Sequence, residues 1–234
     1  MRLPYQKSAG FSEIWRARGA ILRPVRPLCA FDLDHTLVRS PLDLVRLKGE
    51  IRALVEAEGL PLPEATRAWT IGQIIEAAAA HRTTLGEACW GLCTTHEEEA
   101  VEHAQPEPGA LEALTELRAA GYPLALWTNN TGSVARRALA SCGLGGFFTV
   151  LVTRDEAALK PDPSGLRLLE AAFPERRIWV VGDSWVDGAA AHAGGAAFIA
   201  YGADPVELAR RGVAPRTVLR DLRHLPEWLR TAAW

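Results

Sequence analysis

Two carboxylates stand two residues apart in the segment Phe31-Asp32-Leu33-Asp34-His35-Thr36, directly after a short apolar run. Two more, Asp183 and Asp187, follow a second apolar run in Gly182-Asp183-Ser184-Trp185-Val186-Asp187. A carboxylate at a strand end can attack phosphorus and carry the phosphoryl group as an aspartyl-phosphate. A phosphate monoester dianion repels a nucleophile. Its cleavage therefore needs charge neutralisation, an in-line attack and a proton for the leaving group. Asp32 suits the attack, and chain curvature just past the strand can aim Asp34 at the same ligand. Carboxylates gathered around a phosphoryl group make sense only with a cation. Magnesium takes oxygen ligands.

The elements that must position these residues are short apolar runs that stop at polar residues. Leu28-Cys29-Ala30-Phe31 ends at Asp32, residues 124–127 end at Thr128-Asn129-Asn130, and residues 178–181 end at Gly182-Asp183-Ser184. Residues 196–200 and 147–152 read as further strands. Helical patterns over residues 109–120, 133–142, 164–173 and 185–193 separate them, with Gly121 as a C-terminal stop for the first. This alternation predicts a doubly wound α/β core, a parallel sheet with helices on both faces. Ligands in such sheets bind beyond the C-terminal strand ends, at the switch point.

Between Val38 and Pro106 the alternation breaks, and no strand is expected. Helical patterns cover residues 42–58, 64–80 and 84–103. The expected organisation is an N-terminal extension at 1–27, a core at 28–38 and 107–234, and an inserted all-α cap at 39–106. Arg39-Ser40-Pro41 and Gln105-Pro106 are the expected hinges. The basic extension reads as a surface segment whose Phe11, Ile14 and Trp15 dock a short helix.

Taken in order, the Asp32 segment, Leu126-Trp127-Thr128-Asn129-Asn130, Leu159-Lys160-Pro161-Asp162 and the Asp183 segment resemble the four motifs of the haloacid dehalogenase superfamily. The resemblance runs from about residue 28 to the end, and the helical insertion is similar to the first type of cap in the phosphoglycolate phosphatase-like branch. It implies a magnesium-dependent phosphatase acting on a small phosphorylated metabolite. It implies that Asp32 is the nucleophile and that Asp34 protonates the leaving oxygen and then activates water. It also implies that Asp32, the Asp34 carbonyl and Asp183 bind the metal, with Asp187 ligating directly or through water. Lys160 would neutralise the phosphoryl oxygens, and Thr128 and Asn129 would bind them. The helix after Asn130 would add amide donors, and Asn129 and Asn130 could also simply cap it. The family often has Gly where His35 stands.

His81 and Arg82, in a turn of the cap, are candidate substrate contacts and keep a phosphomutase open as an alternative. Haloacid dehalogenation needs no leaving-group acid, and Asp34 argues against it. A non-catalytic phosphate-binding scaffold is the alternative from another class. The formal net charge of −2 points to neither nucleic acid nor membrane as a partner. The four cysteines show no C-x-x-C spacing and read as buried reduced thiols, which fits a reducing, cytoplasmic setting, and no apolar run is long enough to span a bilayer. The expected state is a monomer or homodimer, between which nothing in the sequence decides.

Overall fold

The structure is a computed structural model that describes residues 25–232. The expected docking of Phe11, Ile14 and Trp15 lies outside the described residues. In chain order the first elements are β1 (Leu28–Phe31), β2 (Val38–Arg39), α1 (Leu44–Ala57), α2 (Ile71–His81), α3 (Thr83–Val101) and β3 (Gln105–Pro106). There follow α4 (Ala110–Ala119), β4 (Leu124–Trp127), α5 (Gly132–Ser141), β5 (Val150–Val152), α6 (Ser164–Ala172) and β6 (Ile178–Gly182). The chain ends with α7 (Trp185–Ala193), β7 (Ala197–Tyr201), α8 (Pro205–Arg210), β8 (Thr217–Leu219) and α9 (Leu225–Thr231).

Six strands form one sheet in the order β5-β4-β1-β6-β7-β8, and every pairing is parallel. The period of two in each strand divides the core between the two faces. Cys29 and Phe31 meet Leu114 and Leu117 of α4, Leu139 of α5 and Leu225 of α9. Leu28 and Ala30 meet Leu166 and Leu169 of α6, Ala190 of α7 and Leu208 of α8. Burying each large aliphatic or aromatic side chain contributes about 1.5–3 kcal/mol. Helix α6 comes very close to the sheet, because a Cβ on Gly165 would stand 2.1 Å from Trp127 Nε1. The chain runs β1, β4, β5 outward on one side and then crosses back to β6 beside β1. The switch point thus lies at the ends of β1 and β6, where Asp32 and Asp183 stand.

Helices α1 to α3 enclose a core of their own, built at spacing four: Leu47, Ile51 and Val55 on α1, Ile74 and Ala78 on α2, Leu85, Cys89 and Cys93 on α3. Gly86 lets α2 and α3 touch, since a Cβ there would lie 2.6 Å from that of Ala79. All four cysteines are free and buried. No helix among the described residues is long and apolar enough to cross a membrane.

Several expectations need correction. The insertion does contain strands, since β2 and β3 pair antiparallel through Val38 with Pro106 and Arg39 with Gln105. Two-residue strands carry no periodicity to read. The same ribbon cross-ties the expected hinges, helped by an Arg39–Glu107 ion pair at 3.2 Å and a Ser40–Asp34 hydrogen bond at 2.9 Å. The expected helix at 64–80 is a short 3-10 turn (Glu64–Ala68), then α2, whose capping box at Thr70 and Gln73 fixes the true start. The strand expected at 147–152 begins only at Val150, and β8, α8 and α9 were not anticipated.

Candidate active site

Asp32 leaves β1 with its backbone N–H donating to the Val181 carbonyl of β6 at 2.9 Å. Its carboxylate meets Lys160, whose ammonium donates to Asp32 Oδ1 at 2.6 Å, to Asp187 Oδ1 at 2.5 Å and to the Trp127 carbonyl at 2.9 Å. All three ammonium protons are therefore used. Burial works against the Lys160 charge, but Asp187 and Asp32 outweigh it and raise its pKa. Burial pushes Asp32 up to about 7, against the pull of Lys160 and with the Asp187 charge adding to the rise.

Asp183 follows β6 and is pushed up to about 8 by burial and then by the charges of Asp187 and Asp32. Asp187 sits in the first turn of α7, where its Oδ2 accepts from the Ser184 N–H at 3.1 Å and also from the Ser184 hydroxyl. It thus caps its helix and pairs with Lys160 at once. A Cβ on Gly182 would stand 2.5 Å from Asp187 Cγ, so only glycine leaves room for this carboxylate. Asp32, Asp183 and Asp187 each offer an oxygen, and the three oxygens lie within 4.8 Å of one another. Three carboxyl groups converge beside one ammonium, and the all-oxygen donor set suits a hard divalent cation that can take the place of their protons. The cluster fits a metal ion.

Asp34 is held from both sides, with Ser40 Oγ donating to Oδ1 at 2.9 Å and Asn130 Nδ2 to Oδ2 at 2.7 Å. Thr128, after β4, accepts the Asn130 N–H at 3.2 Å, which leaves its own hydroxyl proton free to donate. Asn129 also borders the cavity, but its amide is spent on the Lys160 backbone: Nδ2 donates to the carbonyl at 3.2 Å and Oδ1 accepts from the N–H at 2.8 Å. It binds the lysine loop to the β4 loop. Neither asparagine caps α5; Thr131 does, accepting from Val134 N–H at 3.3 Å. The first amide of that helix, Gly132, donates to Asp155 at 2.8 Å. The chain's own carboxylate therefore occupies part of the donor set expected for the ligand.

His35 has φ of +56°, the left-handed region. Glycine adopts this conformation without strain, whereas a side chain costs energy there. His35→Gly is expected to change stability by less than about 1 kcal/mol, as released strain offsets added chain entropy. His35→Val is expected to cost about 1–2 kcal/mol. Urea unfolding of both variants checks this, and equal stability of the two would show that the turn is unstrained.

The structure does not bring His81 and Arg82 to the cavity that holds these residues. Both are exposed, and Arg82 pairs with Glu58 instead. What the sequence reading missed is Arg154, on the loop after β5. Its side chain is 9% exposed and pairs with Glu97 of α3, while also donating to the Asn129 carbonyl at 3.2 Å and Thr94 Oγ1 at 3.1 Å. Its guanidinium lies 4.9 Å from the centre of the Trp90 ring. Burial pushes the Glu97 carboxyl up, and Arg154 pulls it back. Glu97 looks like part of a solvated acidic run, Glu97-Glu98-Glu99. The signal lay in its spacing, four residues past Cys93 on the buried stripe of α3.

A family model described as haloacid dehalogenase-like hydrolase matches residues 27–195 of the 234. A phosphoglycolate phosphatase of Cereibacter sphaeroides is 33% identical over 188 residues, which span 75% of this chain and 84% of that protein. Among solved structures, a hydrolase from Pseudomonas syringae superposes with a TM-score of 0.68 at 21% identity, covering 89% of this chain and all (100%) of that one. A hydrolase of the same superfamily from Bacillus subtilis, bound to magnesium, superposes with a TM-score of 0.57 at 20% identity, covering 88% of this chain and 99% of its own. With the matched model spanning more than half of its length, this chain belongs to the haloacid dehalogenase-like hydrolases.

Proposed function

We propose that this hydrolase releases inorganic phosphate from a small phosphorylated metabolite, with Asp32 as covalent nucleophile and magnesium as cofactor. Residues 39–106 form its cap, and 28–38 with 107–234 its core. The observation that carries this reading is the Lys160 ammonium between Asp32 and Asp187, inside a cluster of three carboxylates at the switch point. The phosphoglycolate phosphatases among its relatives support a phosphoric monoester hydrolase, and the magnesium-bound neighbour supports the choice of ion.

Asp32, Asp183, Asp187 and the Asp34 carbonyl would hold the ion. Bound there, it supplies positive charge that screens the phosphoryl oxygens from the nucleophile. The Asp32 carboxylate attacks phosphorus, and the bond to the ester oxygen breaks. Asp34 gives its proton to the departing alkoxide. It then takes a proton from water, whose oxygen attacks the aspartyl-phosphate. Phosphate leaves and the Asp32 carboxylate is restored. The hydrogen bonds from Ser40 and Asn130 hold Asp34 in one orientation for both proton transfers. The free Thr128 hydroxyl proton binds a phosphoryl oxygen, and the Lys160 ammonium, held against Asp32, offsets the phosphoryl charge. Asn129 acts by fixing Lys160. The mutase alternative loses the support of His81 and Arg82, which lie outside the cavity.

Metal binding has a stability signature. Asp32 and Asp183 hold their protons up to about pH 7 and 8 without metal. The unfolded chain releases them near pH 4. The native state therefore binds more protons in that window, and its stability falls as pH rises from about 4 to 8. Magnesium competes with those protons and is expected to raise Tm more at pH 8 than at pH 5.5. At a hundredfold excess over Kd the rise is on the order of 5–10 °C. Thermal unfolding with chelator and with magnesium at both pH values measures it. The same Tm in all four conditions would remove the metal from this site.

A further inference from the structure

The catalytic residues open onto a cavity of about 610 Å³. That volume lies within the range that takes drug-sized ligands, roughly 300–1,000 Å³. It far exceeds what a two-carbon phosphorylated acid fills. The cap is already seated on the core at two places. Arg154 holds Thr94 and Glu97 of α3, and on α2 a Cβ on Gly72 would come within 2.8 Å of Leu159 Cδ1. The space therefore lies beneath a cap that touches the core through both α2 and α3.

Beyond the phosphate end, the lining is apolar and aromatic, with Trp69, Trp90 and Trp185 joined by Leu42, Ile71 and Leu159. At the rim, Leu44 and Val45 are 50% and 85% exposed. Of the bordering cations, Arg154 is paired with Glu97, and Arg211 donates to Glu207 at 2.9 Å and stacks 4.6 Å over Trp185, while Lys48 spends one ammonium proton on the Arg67 carbonyl at 2.7 Å. The greater part of the lining beyond the phosphate end is apolar, so an aromatic body would bury apolar surface there and find ring faces to stack on.

We propose, resting on the phosphatase reading above, that the substrate is a phosphate monoester whose alcohol carries a planar, apolar body, seated among Trp69, Trp90 and Trp185. The ester phosphate points to Asp32 and the ring system fills the cavity under the cap.

Non-hydrolysable phosphonates test this without leaving-group effects. The full-length protein with magnesium is titrated by calorimetry with 2-(2-naphthyl)ethylphosphonate and with ethylphosphonate. The naphthyl compound is expected to bind at least about tenfold more tightly. Equal affinities overturn the proposal. Trp69→Ala is expected to bring the ratio of the two affinities towards one. Should that variant not fold, Leu44→Ser, at a half-exposed rim position, is expected to lower the same ratio. An unchanged ratio in a folded variant overturns the assignment. Phosphate release is then measured from 2-phosphoglycolate and from 2-(2-naphthyl)ethyl phosphate. A higher kcat/KM for phosphoglycolate overturns the aromatic substrate and leaves the hydrolase reading standing. Release from neither ester, nor from any of a panel of phosphorylated metabolites, refutes the hydrolase reading, while the calorimetric ratio still decides what the cavity binds.

Discussion

Asp32→Asn is expected to lower kcat by at least about 10⁴-fold, the scale seen when a covalent nucleophile is removed, while the protein remains folded. The amide keeps the shape of the carboxylate but cannot attack phosphorus. Its Oδ1 can still accept the hydrogen bond that Lys160 now gives to Asp32. The substitution also removes a charge that burial disfavours, so no unpaired ion is left behind. Loss of turnover with an unchanged unfolding transition is therefore the expected pair of results. Phosphate release and urea unfolding measure them. In the wild type, beryllofluoride should be trapped against the Asp32 carboxylate in a crystal structure. Activity above a small fraction of wild type in Asp32→Asn would refute the covalent mechanism.

The core sheet was legible because its strands are buried on both faces. Leu28–Phe31, Leu124–Trp127 and Ile178–Gly182 are unbroken apolar runs, and each stops where the chain must turn beyond the sheet. Residues at those stops converge by topology alone, which is why Asp32, Thr128 and Asp183 meet although they are far apart in sequence. Lys160 was found through its motif and not through any strand. Which atoms touch was not legible. Nothing in Asn129-Asn130 shows that one side chain ties the lysine loop and the other orients Asp34. Cap placement failed for a geometric reason. His81 and Arg82 form the turn between two packed helices, whereas Ile71 and Gly72 at the start of α2 and Trp90 to Glu97 on α3 border the cavity. The turn therefore lies the full 11 residues of α2 from its site-facing end, roughly 16 Å at 1.5 Å per residue. A basic turn looks like a phosphate contact until the length of the helix is counted.

Lys160→Met is expected to damage both folding and catalysis, in a way that depends on pH and metal. The Lys160 side chain is 2% exposed and the Asp187 side chain 1%. Removing one partner of such a buried pair costs about 3–5 kcal/mol, because the remaining charge stays buried without compensation. Against a typical total of about 5–15 kcal/mol, that is a large loss. Here Asp32 and Asp187 lose their common partner, with the Asp183 carboxyl close by. With the pull of Lys160 gone, the pKa of Asp32, and that of Asp183 beside it, should rise above the wild-type values. At pH 5.5 protons neutralise them and the deficit shrinks. At pH 8 they must either ionise while buried or keep protons that the solvent takes from the unfolded chain, and the deficit is greatest. Magnesium replaces the missing positive charge and is expected to recover part of the stability at pH 8. It cannot replace the ammonium that holds Asp32 and offsets the phosphoryl charge, so kcat should stay down by about 10²–10³-fold, as for loss of one charge-stabilising donor. Urea unfolding at both pH values, with chelator and with magnesium, separates the two effects from the kinetics. A variant as stable as wild type at pH 8 in chelator would mean that the carboxylates are not held as a charged cluster. Lys160 would then be a substrate contact alone.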